Sequence, residues 1–428
     1  MNIKKVVSSL ILILILISLI NGAFPQLQIA LFGDVVIPTV SVKIIMFGFL
    51  FFSLFFSFQY KNKTKIILIW WIFLLYLFLN FIRLLSIGYS VSEILIGYNG
   101  YYALIFFMPM FFFLEKSISI NKISSVLLFL AVPVSVLGIF QYVLKEPLLA
   151  TSSPNGSFYV SSFKYIMDDS GSLQSFRAFS LFDSGLSFGF FLCICLSVVF
   201  SKFLIEKGHK FFYFIVIILF ATATYMTLTR NIYICFLLTI LSVMLINKKS
   251  KVVKYLPFIH LAIGYAIYYF APKITMLFSS SLVDNRTLLI RQANWISVKN
   301  VWFKDVWTFL FGSGVYQNGN SSYNLILDNN YLALGMHIGL VGLLFWFFIM
   351  MSIWNYCLKI VRASHNSFNM GITSFLSTFL VTGIYNINIQ IYLLVFACMI
   401  IGDHYIKFEK EQNLNVVKKK RFFPRITW

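Results

Sequence analysis

The sequence predicts an all-α polytopic integral membrane protein, and three observations predict it. The 428 residues are 60% apolar and only 11% charged, whereas a soluble chain is about 45–50% apolar and about 25% charged. The mean hydropathy is +0.86. The apolar residues come in near-continuous runs, not in the strict alternation of a β-barrel. A water-soluble enzyme, a disordered chain and a secreted disulfide scaffold are excluded on the same grounds.

A helix needs about 20 apolar residues to cross about 30 Å of hydrocarbon. Twelve segments read as spans: 6–22, 36–58, 66–84, 94–114, 123–144, 179–200, 211–228, 231–246, 255–270, 331–355, 370–386 and 388–406. The first follows Lys4 and Lys5, and no small-residue cleavage pattern comes after Ile20, so it reads as an uncleaved span. The pair 211–228 and 231–246 forms a tight hairpin around Thr229-Arg230. A polar Asn386-Ile387-Asn388 turn separates the last two. The whole chain, 1–428, is then a single membrane domain.

Orientation follows from the basic residues, which accumulate on the cytoplasmic side. Alternate segments hold Lys4 and Lys5; Lys61, Lys63 and Lys65; Lys116 and Lys122; Lys202, Lys207 and Lys210; Lys248, Lys249, Lys251 and Lys254; Lys359 and Arg362; and the basic tail 407–428. Both termini are therefore expected in the cytoplasm. Most of the formal charge of +20 is this topology signal, so no nucleic-acid partner is called for; the lipid bilayer is the partner.

Inner loops are short, but two outer segments are long: 145–178 and 271–330. Loops beyond about 15 residues tend to be functional or disordered, and neither is low in complexity. Function is therefore expected on the outer face. Within the second, apolar residues between 285 and 310 recur at helical spacing. Trp295, Trp302 and Trp307 suit a helix lying at the membrane interface. Gly312-Ser313-Gly314 then breaks it. The outer loop 23–35 is short and holds only Asp34. Cys193, Cys195, Cys235, Cys357 and Cys398 lie in apolar runs without CxxC spacing, so neither a metal site nor a disulfide framework is expected.

A few residues are candidates for chemistry. Arg230 sits at the outer end of an apolar hairpin, where an arginine is costly unless paired or hydrated. It reads either as a side chain snorkelling to headgroups or as a contact to a lipid-linked phosphate, which a guanidinium matches bidentately. Arg286 and Arg291 lie on the loop helix, and Arg177 ends the first long loop. Asp328, Asn329, Asn330 and Tyr331 stand at the mouth of the tenth span. An acid, two amides and a phenol suit sugar hydroxyls, and the acid suits a general base; Asp and Asn also favour a helix N-cap. His337 follows inside the span. Asp168-Asp169 reads as an exposed turn.

Three local patterns, in this order and with this topology, resemble the O-antigen polymerase and ligase superfamily (Wzy- and WaaL-type). They are Thr227-Leu228-Thr229-Arg230; Arg291-Gln292-Ala293-Asn294-Trp295 followed by Gly312-Ser313-Gly314; and Asp328-Asn329-Asn330-Tyr331-Leu332 followed by Gly339-Leu340-Val341-Gly342. The local match covers about residues 230–345. Where ligases of the family carry histidine this chain has Asp328, and where an acid often precedes the last glycine step it has His337. The DN-x-YL pattern looks more like the polymerases.

The resemblance implies a glycosyltransferase on the outer face of the bacterial cytoplasmic (inner) membrane. The donor would be a polyprenyl-diphosphate-linked oligosaccharide and the acceptor the next lipid-linked unit, with inversion at the anomeric carbon and no cofactor or metal. It implies Arg230 and Arg291 as the catalytic diphosphate clamp, with Arg286 beside them. Asp328 would act on the acceptor, and Asn329, Asn330, Tyr331, His337 and Arg177 would contact substrate. A chain-length regulator and a flippase are the implied partners. Two alternatives stay open: a ligase of the same superfamily, and a flippase or transporter. The second is disfavoured by the scarcity of mid-span charge.

Overall fold

The computed structural model describes residues 23–34, 65–91, 93–94, 120–149, 165–167, 173–182, 184–278, 285–314, 329–364 and 366–383. The chain order is α1 (Ala23–Phe32), α2 (Lys65–Ile87), α3 (Ile120–Leu144), β1 (Tyr165–Met167), β2 (Leu173–Phe176), α4 (Gly185–Ile205), α5 (Lys210–Met226) and α6 (Arg230–Asn247). A 3-10 turn (Lys251–Tyr255) leads to α7 (Leu256–Phe278), α8 (Asn285–Trp302), α9 (Val306–Phe311), α10 (Asn330–Ser364), α11 (Ser367–Leu376) and α12 (Phe379–Gly383). Helices dominate, as the composition predicts. The exception among the described residues is the antiparallel β1–β2 hairpin, with Tyr165 opposite Phe176, inside the first long loop.

Among the described residues, five helices are long and apolar enough to cross a membrane: Leu68–Ile87, Ser124–Leu144, Gly185–Ile205, Arg230–Asn247 and Asn330–Ser364. They fall on five of the expected spans. The apolar α5 is shorter, at 17 residues. The expected spans 6–22, 36–58 and 388–406 lie outside the described residues, as do nearly all of 94–114 and the tail 407–428.

The core is built around α4, which is buried on nearly every side and packs against α3, α5, α6 and α11. Its polar residues are satisfied within the helix. Ser197 Oγ donates to Ile194 O at 2.6 Å and Ser201 Oγ to Ser197 O at 2.7 Å, which removes the cost of a bare hydroxyl in an apolar interior. At the end of α4, Glu206 accepts from Tyr213 Oη at 2.6 Å and from Ser367 Oγ at 2.9 Å. One carboxylate thus ties α4, α5 and α11 together.

Three elements differ from expectation. The segment 23–35 is mostly helix α1 rather than loop. The helical pattern over 285–310 is two helices, because Asp305 caps a new one: its Oδ1 accepts from Thr308 N at 2.7 Å. The span 370–386 is broken at Ser377-Thr378. Their hydroxyls back-bond to Ser374 O and Phe375 O at 2.6 and 2.7 Å, a habit that bends helices. His260 of α7 meets the break, with Nδ1 3.1 Å from Ser377 O.

Candidate functional site

The first arginine stands where the sequence puts it. Thr227, Leu228 and Thr229 turn the chain between α5 and α6, with Leu228 at φ 48, and Thr229 Oγ1 donates to Thr227 O at 2.9 Å. Arg230 is the first residue of α6 and is exposed.

Arg177 follows β2 directly and is half-buried. The segment after it is pinned by α3, through a residue that sequence reasoning passed over. Gln141 donates from Nε2 to Ser180 O at 3.0 Å and accepts from Ser180 N at 2.7 Å through Oε1. Ala178 N donates to Met226 O at 3.0 Å. Arg177 acts electrostatically on Tyr233, one turn into α6, whose ring stacks on Tyr225 with centroids 6.1 Å apart. These ties bring Arg177 to the turn of the α5–α6 hairpin that carries Arg230.

Arg286 and Arg291 lie on α8. The path of that helix is fixed by its second half. Val298 and Trp302 pack against Ala333 and Met336 of α10. Trp302 sits over Gly335, where a Cβ would come within 2.4 Å of its ring. Trp302 is therefore a core residue, 7% exposed, and not an interfacial anchor as its spacing suggested; the exposed Trp307 keeps that character. Two turns before Trp302, Trp295 packs with Ile234 and Tyr331 around Leu238 and Val381.

Of the candidates, Tyr331 belongs to this last cluster. Arg291 lies one turn before Trp295, and Arg230 one turn before Ile234, about 5.4 Å along each axis. Tyr331 directly follows Asn329 and Asn330. Since α8 and α10 descend side by side, residues before Trp295 extend past the 329–330 end of α10. Three chain segments thus meet at one end of the molecule. Asp328 lies just outside the described residues.

The amides and the phenol take different parts. Asn329, and not Asp328, is the N-cap of α10: its Oδ1 accepts from Tyr331 N at 3.0 Å and from Leu332 N at 3.2 Å. That oxygen is committed to the backbone and is unfit for sugar. Tyr331 Oη donates to Leu380 O of α12 at 2.5 Å, so it anchors a helix instead of presenting its hydroxyl to a ligand. Asn330 is 3% exposed and its Nδ2 has no hydrogen-bond partner among the described residues. Such a group costs about 1–3 kcal/mol, and it is a donor of this set that a ligand oxygen could satisfy. His337 is deeper, two residues before Gly339, where α10 breaks.

That break was also unforeseen. Gly339 has φ 66 and ψ −176, a region open essentially to glycine alone. It lies against Leu310 O, and Gly312 lies against His337 O. Both glycine patterns of the sequence therefore meet in one junction. The signal was present in Gly312-Ser313-Gly314 and Gly339, but not that the two touch. Among the described residues no group of three or more His, Cys, Asp or Glu side chains gathers as a metal site would require. Cys193, Cys195, Cys235 and Cys357 are buried and free.

Fold and site together define a multi-pass α-helical membrane protein with a polar, arginine-bearing end. Compared with known protein families and with curated proteins, the chain matches none.

Proposed function

We propose that the protein is a polymerase of lipid-linked oligosaccharide repeat units, of the O-antigen or capsular kind. In this reading it crosses the bacterial cytoplasmic membrane twelve times, with both termini in the cytoplasm and the arginine-bearing end outside. The observation that carries the reading is the packing of Ile234, Trp295 and Tyr331 around Leu238 and Val381, each about a turn or less from Arg230, Arg291 or Asn330 along its own helix. An arginine at the start of α6 and another about two turns into α8, together with the buried amide of Asn330 and the acid two residues before it in sequence, suit a diphosphate leaving a sugar. No other chemistry in the sequence matches that set as well.

The steps follow from the residues. The acceptor hydroxyl attacks the anomeric carbon, and the bond from that carbon to the diphosphate oxygen breaks. The electron pair leaves with the polyprenyl diphosphate. Arg230 and Arg291 stabilise the departing charge, which is larger in the transition state than in the bound donor. Asp328 takes the hydroxyl proton. Asn330 donates from Nδ2 to a donor or acceptor oxygen, which removes its burial cost. Arg177 and Arg286 extend the positive field around the site.

The test is deletion of the gene followed by gel analysis of the cell's glycolipids. The expected outcome is collapse of the polymer ladder to core plus one repeat unit. Polymer stranded on the carrier lipid would identify a ligase instead, and repeat units held on the cytoplasmic face would identify a flippase. Restored Arg230→Ala and Arg291→Ala genes should each fail to rebuild the ladder; normal ladders from both overturn the clamp.

A further inference from the structure

We propose that Arg83 of α2 is a positioning residue: it latches the Gly312-Ser313-Gly314 loop into the break of α10 and so fixes α8 over the site. The inference rests on the polymerase reading for its functional half only. Nothing in the sequence marks Arg83, which sits in the apolar run Asn80-Phe81-Ile82-Arg83-Leu84-Leu85.

The contacts are dense. Arg83 Nη2 donates to Gly312 O at 2.8 Å and to Phe311 O at 3.1 Å. These are the carbonyls left open at the end of α9, where a cation also suits the negative end of the helix dipole. Its Nε donates to Asn80 Oδ1 at 2.9 Å, so the guanidinium is oriented from its own helix. On the other side of the loop, Ser313 donates to Met336 O from both N and Oγ, at 2.7 and 2.9 Å. Tyr76 Oη donates to Ile338 O at 2.5 Å. Met336 O and Ile338 O belong to the last turn before Gly339, which has no further helix to bond them. Two residues of α2 therefore satisfy both sides of the junction, one the loop and the other the broken helix.

The route to the site is short. Gly312 ends α9. Trp302 Nε1 donates to Phe309 O at 3.0 Å, which fastens α9 to the end of α8. Trp302 lies two turns from Trp295, and Arg291 lies one turn beyond that. Releasing Arg83 frees α9, and α8 loses the lower of its two supports on α10. A guanidinium is needed because one planar group reaches two carbonyls and an amide oxygen at once; an ammonium on a flexible stem does not.

The test uses the full-length protein in lipid nanodiscs, as wild type, Arg83→Ala, Arg83→Lys and Arg83→Gln. Hydrogen exchange is followed by mass spectrometry, alongside transfer of a lipid-linked repeat unit. The expected result is exchange over 303–314 roughly tenfold faster in the Ala and Gln variants, on the scale of a local opening, with peptides of α4 and α5 unchanged. Transfer should fall mainly in kcat, and Arg83→Ala should add nothing to the loss caused by Arg291→Ala. Full rescue by lysine overturns the role of the planar fork. Unchanged exchange over 303–314 overturns the latch, and equal acceleration everywhere reduces Arg83 to a general stabiliser and overturns it too. A loosened loop with normal transfer, where Arg291→Ala abolishes transfer, overturns the positioning role. A loosened loop with no arginine variant affecting transfer leaves the latch standing and sinks the polymerase reading instead.

Discussion

The helices around α4 meet mainly through apolar side chains: Phe188, Leu192 and Val199 of α4 share one buried cluster with Phe220, Ile232 and Phe375. The helices at the glycine junction meet through backbone: α9 and α10 touch at glycines, and their carbonyls accept hydrogen bonds from Ser313, Arg83 and Tyr76. The contrast has a physical cause. Inside a bilayer the lipid is as apolar as a side chain, so association relies on close fit and on satisfied polar groups. A straight helix satisfies its own backbone and leaves fit as the remaining variable. A broken helix frees carbonyls and must be given donors. The bundle should therefore be sensitive to volume, and the junction to conformation and hydrogen bonding.

The largest effect should come from volume in the bundle. Phe375→Ala removes a fully buried ring that lies 6.5 Å, centroid to centroid, from Phe190. The loss should be about 3 kcal/mol, the low end for a buried phenylalanine, because the transfer part of the cost is smaller in lipid. Thermal unfolding in detergent measures it, and a loss under 1 kcal/mol would mean that the site collapses freely. Next comes Gly339→Ala, which drives a Cβ into Leu310 O and forces a side chain into a region closed to it. Strain of about 1–3 kcal/mol is expected. The unfolding midpoint should move little, while proteolysis between α8 and α10 speeds up and transfer is lost. Intact resistance to protease would show that the break does not hold α9.

A smaller effect sharpens the contrast through pH. Hydrogen bonds from the backbone N and then the hydroxyl of Thr308 hold the Asp305 carboxyl below its ordinary range. A depressed pKa in the folded state means that the charged cap supports α9 above the ordinary range and is lost as pH falls through the lowered value. Exchange over 306–311 should thus accelerate below about pH 4, with α4 unchanged, and Asp305→Asn should abolish that pH dependence. The smallest effect belongs to Glu206. Burial raises its pKa, but hydrogen bonds from Tyr213 and Ser367, with Lys202 nearby, leave it lowered. Its Lys202 partner is 3.7 Å away and the carboxylate is more than a third exposed. Glu206→Gln keeps one acceptor oxygen and puts an amide N–H donor in place of the other, to which the second hydroxyl can turn its own oxygen, so it should shift unfolding barely measurably. A clear shift would mean that charge, and not the hydrogen bonds, joins the three helices.

Much of this fold is legible in the sequence because length and apolarity dictate it. The spans 66–84, 123–144, 179–200, 231–246 and 331–355 need no tertiary information, nor does the turn at Thr229-Arg230. The split between α8 and α9 was readable as an aspartate three residues before a threonine, a cap signature overlooked within a continuous apolar spacing. Trp302 was misjudged because a tryptophan in an amphipathic stretch looks the same on lipid as on Gly335. Arg83 and Gln141 carry no local signal, since their partners lie 229 and 39 residues away. At the candidate site, the placement of Arg230 at the turn between α5 and α6 is legible from position alone, whereas the assignment of Asn329 to capping and of Tyr331 to Leu380 depends on where α10 begins.

The paired glycines carry a consequence for how such a protein varies over evolutionary time. A side chain at 312 meets the backbone of 337, and a side chain at 339 meets the backbone of 310. Backbone does not shrink, so no second-site change of side chain restores the fit. The two positions form a single heritable unit: lineages that retain this junction keep glycine at both, and a lineage that loses one is released from selection on the other.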